Sequence, residues 1–295
     1  MTLEFLGLYR ETLHSPQREL DDLEILKSTA EELKKKGIKV TLLKPEEFLK
    51  ERKKWENSNL SLIFAMCERK EILKILESFE SSFIPVLNPI QAIWNTYRYR
   101  MVSLLNLAKV SFPVSELVST HASHSKNFNS HPYPFWVKRG DVHNTQAGDV
   151  SLVKTAIELE NVLSNFKARG ISQAVLQEHL NGDLVKFYGI GSPAITNSRF
   201  SAWFKWFYHK DQDLKKHQFS EDLLKKLTQS TAQALGLEIY GGDAVVLPDG
   251  KIFVIDINAW PSFALFRAEA ASAIASYLLV RSEKKARVFT TVKVS

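Results

Sequence analysis

The chain has one cysteine and no long apolar run, and each lack removes a class of protein. Cys67 is alone among 295 residues. A single thiol cannot close an internal disulfide, so a disulfide-stapled secreted scaffold is excluded, and a cysteine-built zinc site with it. No apolar stretch approaches the roughly 18–20 residues that cross a bilayer as a helix. The opening stretch, Met1-Thr-Leu-Glu-Phe-Leu-Gly-Leu-Tyr-Arg10, sets Glu4 and Arg10 around a very short apolar run, which is not the pattern of a signal peptide. The expected location is therefore the cytoplasm, with no membrane partner. No internal repeat or low-complexity tract is visible.

What is present has the composition of an ordinary globular protein, 44% hydrophobic and 24% charged. At this length two or three lobes are expected, each able to bury a core. The 39 Lys+Arg against 33 Asp+Glu leave a formal charge of +6. That surplus suits an anionic partner, whether phosphate or nucleic acid, and equally suits plain solubility.

Residues 1–88 alternate short apolar runs with amphipathic ones, as βαβ units do. Strands are expected over 3–9, 38–43, 60–65 and 83–87. Helices are expected from Ser15-Pro16 to Gly37, over 46–54 and over 68–79. From Asn88 the texture changes. Residues 90–108 read as one long helical stretch containing Arg98 and Arg100, and a strand begins near 111–114. Residues 121–134 are polar, with three His and two Pro, and read as a loop. Strands follow at 135–138 and 174–180, and a helix at 155–169. Asn181-Gly182-Asp183 reads as a tight turn joining 174–180 to 184–191 as a hairpin. An aromatic strand at 200–208, a helix at 221–235, and strands at 239–247 and 251–258 come next. An Ala-rich helix at 264–280 and a basic tail at 281–295 close the chain.

Three segments carry chemistry. Gly241-Gly-Asp243-Ala-Val-Val-Leu-Pro-Asp-Gly-Lys-Ile-Phe-Val-Ile-Asp256-Ile-Asn258 reads as a hairpin. Period-two alternation puts Asp256 and Asn258 on one face, and antiparallel pairing brings Asp243 beside them. Two carboxylates and an amide oxygen form a hard-oxygen set suited to Mg²⁺, with Mn²⁺ also admissible; a lone D-x-N would equally cap a strand end. Phe135-Trp-Val-Lys138 ends an apolar strand on a lysine, a point charge for a phosphate or a strand-end lysine snorkelling to solvent. The loop 139–148 after it can offer backbone N–H groups to phosphates. In Ala174-Val-Leu-Gln177-Glu178-His179-Leu180-Asn-Gly-Asp183-Leu-Val-Lys186, the polar strand end suits an adenine edge and Asp183 suits ribose hydroxyls. Lys186 points back toward the phosphates.

In this order and spacing the three segments resemble the ATP-grasp superfamily, and the resemblance covers most of the chain. It implies a mixed α/β and α+β architecture, with an N-terminal Rossmann-like pre-ATP-grasp domain (1–88) followed by a two-lobed ATP-grasp fold. The first lobe with the adenine hinge would be 89–181, the second lobe with the metal site 182–280, and the tail 281–295. It further implies ATP and Mg²⁺ as cofactors, with Lys138 on the phosphates and Gln177, Glu178, His179 and Leu180 as the hinge. Asp243, Asp256 and Asn258 would hold the metal. Members usually carry another lysine in the helix-rich segment, where this chain offers Arg98 or Arg100. Many have a Gly/Ser-rich loop after the strand lysine, where this chain has Asp141-Val-His143-Asn-Thr-Gln146.

Such enzymes mostly activate a carboxylate as an acyl phosphate for capture by an amine, and a carboxylate ligase is the expected activity. A narrower resemblance, in Gln177–Lys186 and in Val254-Ile-Asp-Ile-Asn-Ala-Trp-Pro261-Ser-Phe263, is to the inositol polyphosphate kinase branch. There the position matching Lys186 contacts substrate phosphates, and His143 would be a substrate contact rather than a backbone-bonded loop histidine. Both readings take a small anionic acceptor. Arg267 is a candidate for holding it, or else lies on a solvated helix face. A non-catalytic nucleotide-binding protein is a further alternative, and a homo-oligomer stays open. Trp203-Phe-Lys205-Trp206-Phe-Tyr208-His209-Lys210 interleaves rings and cations as a nucleic-acid platform would. Alternation nevertheless suits a strand covered on both faces, so nucleic acid is not the expected partner.

Overall fold

The computed structural model describes residues 3–12, 19–121, 132–142, 145–192 and 200–292, with side chains through residue 283. The leading domain runs β1 (Glu4–Leu8), α1 (Glu19–Lys35), β2 (Lys39–Leu43), α2 (Pro45–Glu56), β3 (Leu62–Ala65), α3 (Lys70–Ser81) and β4 (Val86–Leu87). Its strands pair in parallel in the order β2-β1-β3-β4. Both faces of this sheet are covered, which is why β3 is buried at every position. On one side Leu6, Ile63, Phe48 and Leu76 meet; on the other Phe5 and Phe64 pack with Leu26 of α1. The Ser15-Pro16 helix start lies outside the described residues.

The long helix expected over 90–108 is two helices, α4 (Ile90–Asn95) and α5 (Arg98–Leu107). Tyr97 is extended between them, at φ −61° and ψ 123°. Tertiary contacts outweigh helical propensity there. The buried Tyr97 hydroxyl donates to the Glu68 carbonyl at 2.9 Å, and the first amides of α5, Arg98 and Tyr99, donate to the carbonyls of Asp141 and Gly140.

Among the remaining described residues the strands form two antiparallel sheets. β5 (Ser115–Ser119), β6 (Phe135–Arg139), β7 (Val150–Val153) and β8 (Gln173–Glu178) pair in the order β5-β8-β6-β7, backed by α6 (Ala156–Ala168). This lobe has its own core of Phe135, Val137, Leu163, Phe166 and Leu176. β9 (Asp183–Ile190), β10 (Trp203–Tyr208), β11 (Ile239–Val246) and β12 (Ile252–Ala259) pair in the order β10-β9-β11-β12, with α7 (Glu221–Leu235) preceding β11. On β10, Trp203 packs with Phe263 and Phe266, while Trp206 packs with Phe219, so rings cover both faces. Most of the loop expected at 121–134 lies outside the described residues.

The hairpin expected around Asn181-Gly182 does not form. The strands on either side of Asn181-Gly182 are not hairpin partners: β8 pairs with β5 and β6, and β9 with β10 and β11. Both edges of each strand are already taken, so the turn joins two sheets. Gly182 makes that junction sterically open, because a Cβ there would lie 2.2 Å from the Val246 carbonyl oxygen. Gly182→Ala should therefore lower stability by about 1–3 kcal/mol, as overpacking does, read as a lower denaturation midpoint with an unchanged slope. Residues 281–292, expected as part of a basic tail, are helical instead. After a short 3₁₀ turn (Ala264–Phe266), α8 runs Arg267–Val292. Its small residues Ala270, Ala271 and Ala275 are fully buried in the core shared with α1, and Arg281 pairs with Glu238 at 2.9 Å. Among the described residues no helix is long and apolar enough to cross a membrane.

Candidate active site

A cavity of about 320 Å³ opens between the two antiparallel sheets, at the Gly182 junction. Strand periodicity gives it two chemically different ends. On β9, Leu184 and Lys186 share a face; on β11 the partners opposite them are Val245 and Asp243. Leu184, Val245 and Val150 make an apolar end, joined by Trp136, which shares a face of β6 with Lys138. Gln177, Glu178, His179 and Leu180 line the junction side of this end. Trp136 Nε1 donates to His179 Nδ1 at 3.1 Å, and His179 Nε2 lies 3.0 Å from Asn181 Oδ1, so the ring is held from both sides.

The other end is charged. Asp243 stands directly opposite Lys186 on one side and Asp256 on the other, a row across β9, β11 and β12. A β-bulge in the β11–β12 ladder follows: Ala244 pairs with Val254, leaving Ile255 without a partner. The freed Ile255 carbonyl accepts from Lys138 Nζ at 3.0 Å. Lys138 is buried, and burial is the main influence that pushes its pKa down to about 8; Asp256 opposes this, Arg98 adds to it, and Asp243 opposes it. Arg98 is buried too. Its Nη2 donates to Asp256 Oδ2 at 3.1 Å and its Nη1 to the Val142 carbonyl at 3.2 Å.

The remaining sequence candidates are placed as follows. Lys186 Nζ is 2.7 Å from Asp243 Oδ1. Asn258 lies two residues beyond Asp256 on the same face, opposite Gly241. Arg100 is not in the cavity wall; its guanidinium lies over Trp94 and Tyr99. Asp183 is buried outside the wall, accepting from the main-chain amides of Lys215 and His217 at 2.7 and 2.6 Å. Arg267, at the start of α8, pairs with Asp21 of α1. His143 lies outside the described residues. Trp136, Val150, Leu184, Val245 and Gln212 line the cavity without having been singled out in sequence. Alternation from Lys138 and Asp243 would have found Trp136 and Val245. No local signal marks Gln212, which enters because its amide clamps the Leu184 backbone, bonding N and O at 2.7 Å each.

Charge ties Arg139 to residues 145–149. Asp149, fully buried, accepts from Arg139, Arg169, the Thr145 hydroxyl and the amides of Thr145 and Gln146. Burial alone would raise its pKa, but the Arg169 bond, the Thr145 amide and Arg139 together hold it well below the usual carboxylate range. Asp149→Ala leaves two guanidinium groups without this partner and should cost about 3–5 kcal/mol. A lowered folded-state pKa means the contribution is present above the unfolded value of about 3.9 and is lost as pH falls through the folded value. Denaturation curves of the wild type and variant should therefore converge on acidification below about pH 4.

The donor set at the charged end fits a hard divalent cation. All three side chains, Asp243, Asp256 and Asn258, offer oxygen, and the two carboxylates face each other across one ladder pair. Among the described residues no group of three or more His, Cys, Asp and Glu could hold a metal by itself. Mg²⁺ characteristically takes one or two protein carboxylates and completes its shell with phosphate oxygens and water.

Solved structures share this fold. The D-alanine–D-alanine ligase of Coxiella burnetii superimposes with a TM-score of 0.72 at 12% identity, over 100% of both chains. The D-alanine–D-alanine ligase of Bacillus anthracis complexed with ATP gives 0.70 at 12% identity, over 97% of this chain and 99% of that one. The VanG D-Ala:D-Ser ligase of Enterococcus faecalis gives 0.65 at 14%, over 95% and 99%. The chain thus has the ATP-grasp fold with an N-terminal α/β domain. No family model and no curated protein sequence matches it.

Proposed function

We propose that this protein is a Mg-ATP-dependent ligase that activates a carboxylate as an acyl phosphate for capture by an amine. The observation that carries the reading is the two-ended cavity, in a fold shared with ligases. Its apolar end suits a base. Its charged end has Lys138 and Arg98 in the wall with Asp243 and Asp256, and Lys186, outside the wall, paired with Asp243; a triphosphate would lie there. In the first step the acceptor carboxylate oxygen attacks the γ-phosphorus and the bond to the β–γ bridging oxygen breaks, leaving ADP. An amine then attacks the acyl carbon, loses a proton and expels inorganic phosphate. Asp243, Asp256 and Asn258 would hold Mg²⁺, which would supply charge neutralisation at the phosphates.

The chain's own contribution is positional and electrostatic. Lys138, Arg98 and Lys186 provide positive charge, and the buried pair, Lys138 and Arg98, acts more strongly than it would in bulk solvent. No protein nucleophile is needed. Cys67 fits that absence: it is buried in the leading domain, and burial raises its thiol pKa well above the ordinary value.

A second cavity, of about 290 Å³, lies at the carboxyl ends of β1, β2 and β3 and supports an amino-acid-like acceptor. Its wall includes Arg10, Lys44 and Arg69 together with Glu11, Glu19, Asp22 and Glu46. Mixed charge suits a zwitterion, whereas four carboxylates oppose a polyanion such as an inositol phosphate. Arg10 ties this cavity to the metal strand, donating to the Trp260 carbonyl at 2.6 Å, two residues beyond Asn258. The test is incubation with Mg-ATP and a panel of amino acids, small dicarboxylates and inositol phosphates. ADP and inorganic phosphate should appear only when a carboxylate and an amine are both present. ADP formation with an inositol phosphate, without phosphate release, would replace the ligase with a kinase.

A further inference from the structure

The charged end of the nucleotide cavity is already neutralised from within. Lys186 Nζ is 2.7 Å from Asp243 Oδ1, and Arg98 Nη2 is 3.1 Å from Asp256 Oδ2, so each metal-site carboxylate has a cation of its own. Sheet register enforces this arrangement, since Lys186, Asp243 and Asp256 are consecutive partners across β9, β11 and β12. The sum of charge is informative. Two carboxylates contribute −2, while Lys186, Arg98 and the neighbouring Lys138 contribute +3, leaving the cluster at +1. A bare divalent cation entering it would raise the charge to +3 and would have to displace both ion pairs. A metal–nucleotide complex of net charge −2 would bring the cluster to −1 and give the three cations phosphate oxygens to bind.

We infer that Lys186 and Arg98 are internal counterions that make the metal site specific for a metal–nucleotide complex over the free cation. The inference rests on the Mg-ATP reading above and adds to it a role for these side chains before the nucleotide arrives. In the nucleotide-free protein they hold Asp243 and Asp256. When the triphosphate binds, its oxygens draw Lys186 away, and Asp243 is released to the metal. Partial exposure allows the exchange: the side chains of Lys186 and Asp243 are 20% and 26% exposed. Arg98, at 3%, is the more fixed of the two cations, so Lys186 is the one that moves.

The test measures binding of Mn²⁺, read by electron paramagnetic resonance, to the full chain with and without a nonhydrolysable ATP analogue. The wild type should bind Mn²⁺ weakly alone and much more tightly with the analogue. Lys186→Met should shift the two in opposite directions. Mn²⁺ alone should bind at least tenfold tighter, because one repelling charge and one competitor are gone. Mn²⁺ with the analogue should bind more weakly, because a phosphate partner is lost. Lys186→Gln serves as a second variant, and thermal melts establish that each is folded. A structural role for Lys186 would loosen both modes of binding and would not produce the opposite signs. Unchanged or weaker binding of Mn²⁺ alone in both variants overturns the inference while leaving the Mg-ATP reading in place. Failure of the wild type to take up Mn²⁺ even with the analogue overturns the Mg-ATP reading itself.

Discussion

Asp256→Ala should abolish ATP turnover, lowering kcat on the order of 10³-fold or more, while a cooperative melt survives. The size follows from the chemistry assigned to this position: charge neutralisation at a transferring phosphoryl group supplies several kcal/mol, and each 1.36 kcal/mol is tenfold in rate. Asp256 stands at the centre of the charged row. It faces Asp243 across the ladder, accepts from Arg98, and follows the bulge that turns the Ile255 carbonyl to Lys138. Its loss also leaves the buried Arg98 without this carboxylate, so a lower melting temperature accompanies the lost turnover. Asp256→Asn separates the two effects, since it keeps the volume and one oxygen for Arg98. Turnover should stay low in Asp256→Asn while stability recovers, as steady-state kinetics and melts on the same preparation will show. Full activity in either variant would make Asp256 only a counterion for Arg98.

Lys138→Met should weaken nucleotide binding by roughly 10²-fold, the loss of about 2–3 kcal/mol expected for one charge-assisted hydrogen bond. The side chain is already desolvated, with its pKa pushed down to about 8 by burial, so its charge costs the fold something that methionine does not. The variant should melt at or above the wild-type temperature, a stability gain paired with lost function. The sign of the pH dependence follows directly. A lysine whose pKa is near 8 is charged below that pH and neutral above it, so wild-type affinity for an ATP analogue should fall as pH rises through about 8. Bound phosphates favour the ammonium and move that midpoint upward. Affinity of Lys138→Met should show no such fall. Titration calorimetry between pH 6.5 and 9.5 compares the two; an equally steep decline in the variant would remove Lys138 from the phosphate site.

The charged row was largely readable because it depends on short-range regularities. Period-two alternation sets Asp256 and Asn258 on one face, and Pro248-Asp-Gly250 fixes the turn that brings Asp243 opposite. The parallel leading sheet was readable for a similar reason, since runs such as Leu62–Ala65 are apolar at every position only when both faces are covered. What was not readable depends on distant partners. The choice between Arg98 and Arg100 turns on the helix break at Tyr97, which is set by the hydroxyl bond to Glu68, 29 residues earlier. The Asn181-Gly182 turn has the residues of a hairpin, and only the occupied edges of β8 and β9 make it a junction between sheets. The basic segment at 281–292 looks like a tail until Arg281 meets Glu238 from the start of β11. Gln212 reaches the cavity through two bonds to Leu184, 28 residues away, and nothing beside it in sequence announces that.

In the proposed reaction a carboxylate becomes an acyl phosphate in the two-ended cavity. Once an acceptor pair has been found, ¹⁸O-labelled carboxylate tests it directly. Attack of a carboxylate oxygen on the γ-phosphorus, followed by release of inorganic phosphate, must carry that oxygen into the phosphate. Mass spectrometry of the phosphate should therefore find one ¹⁸O per turnover. Unlabelled phosphate, or AMP in place of ADP, would contradict the account.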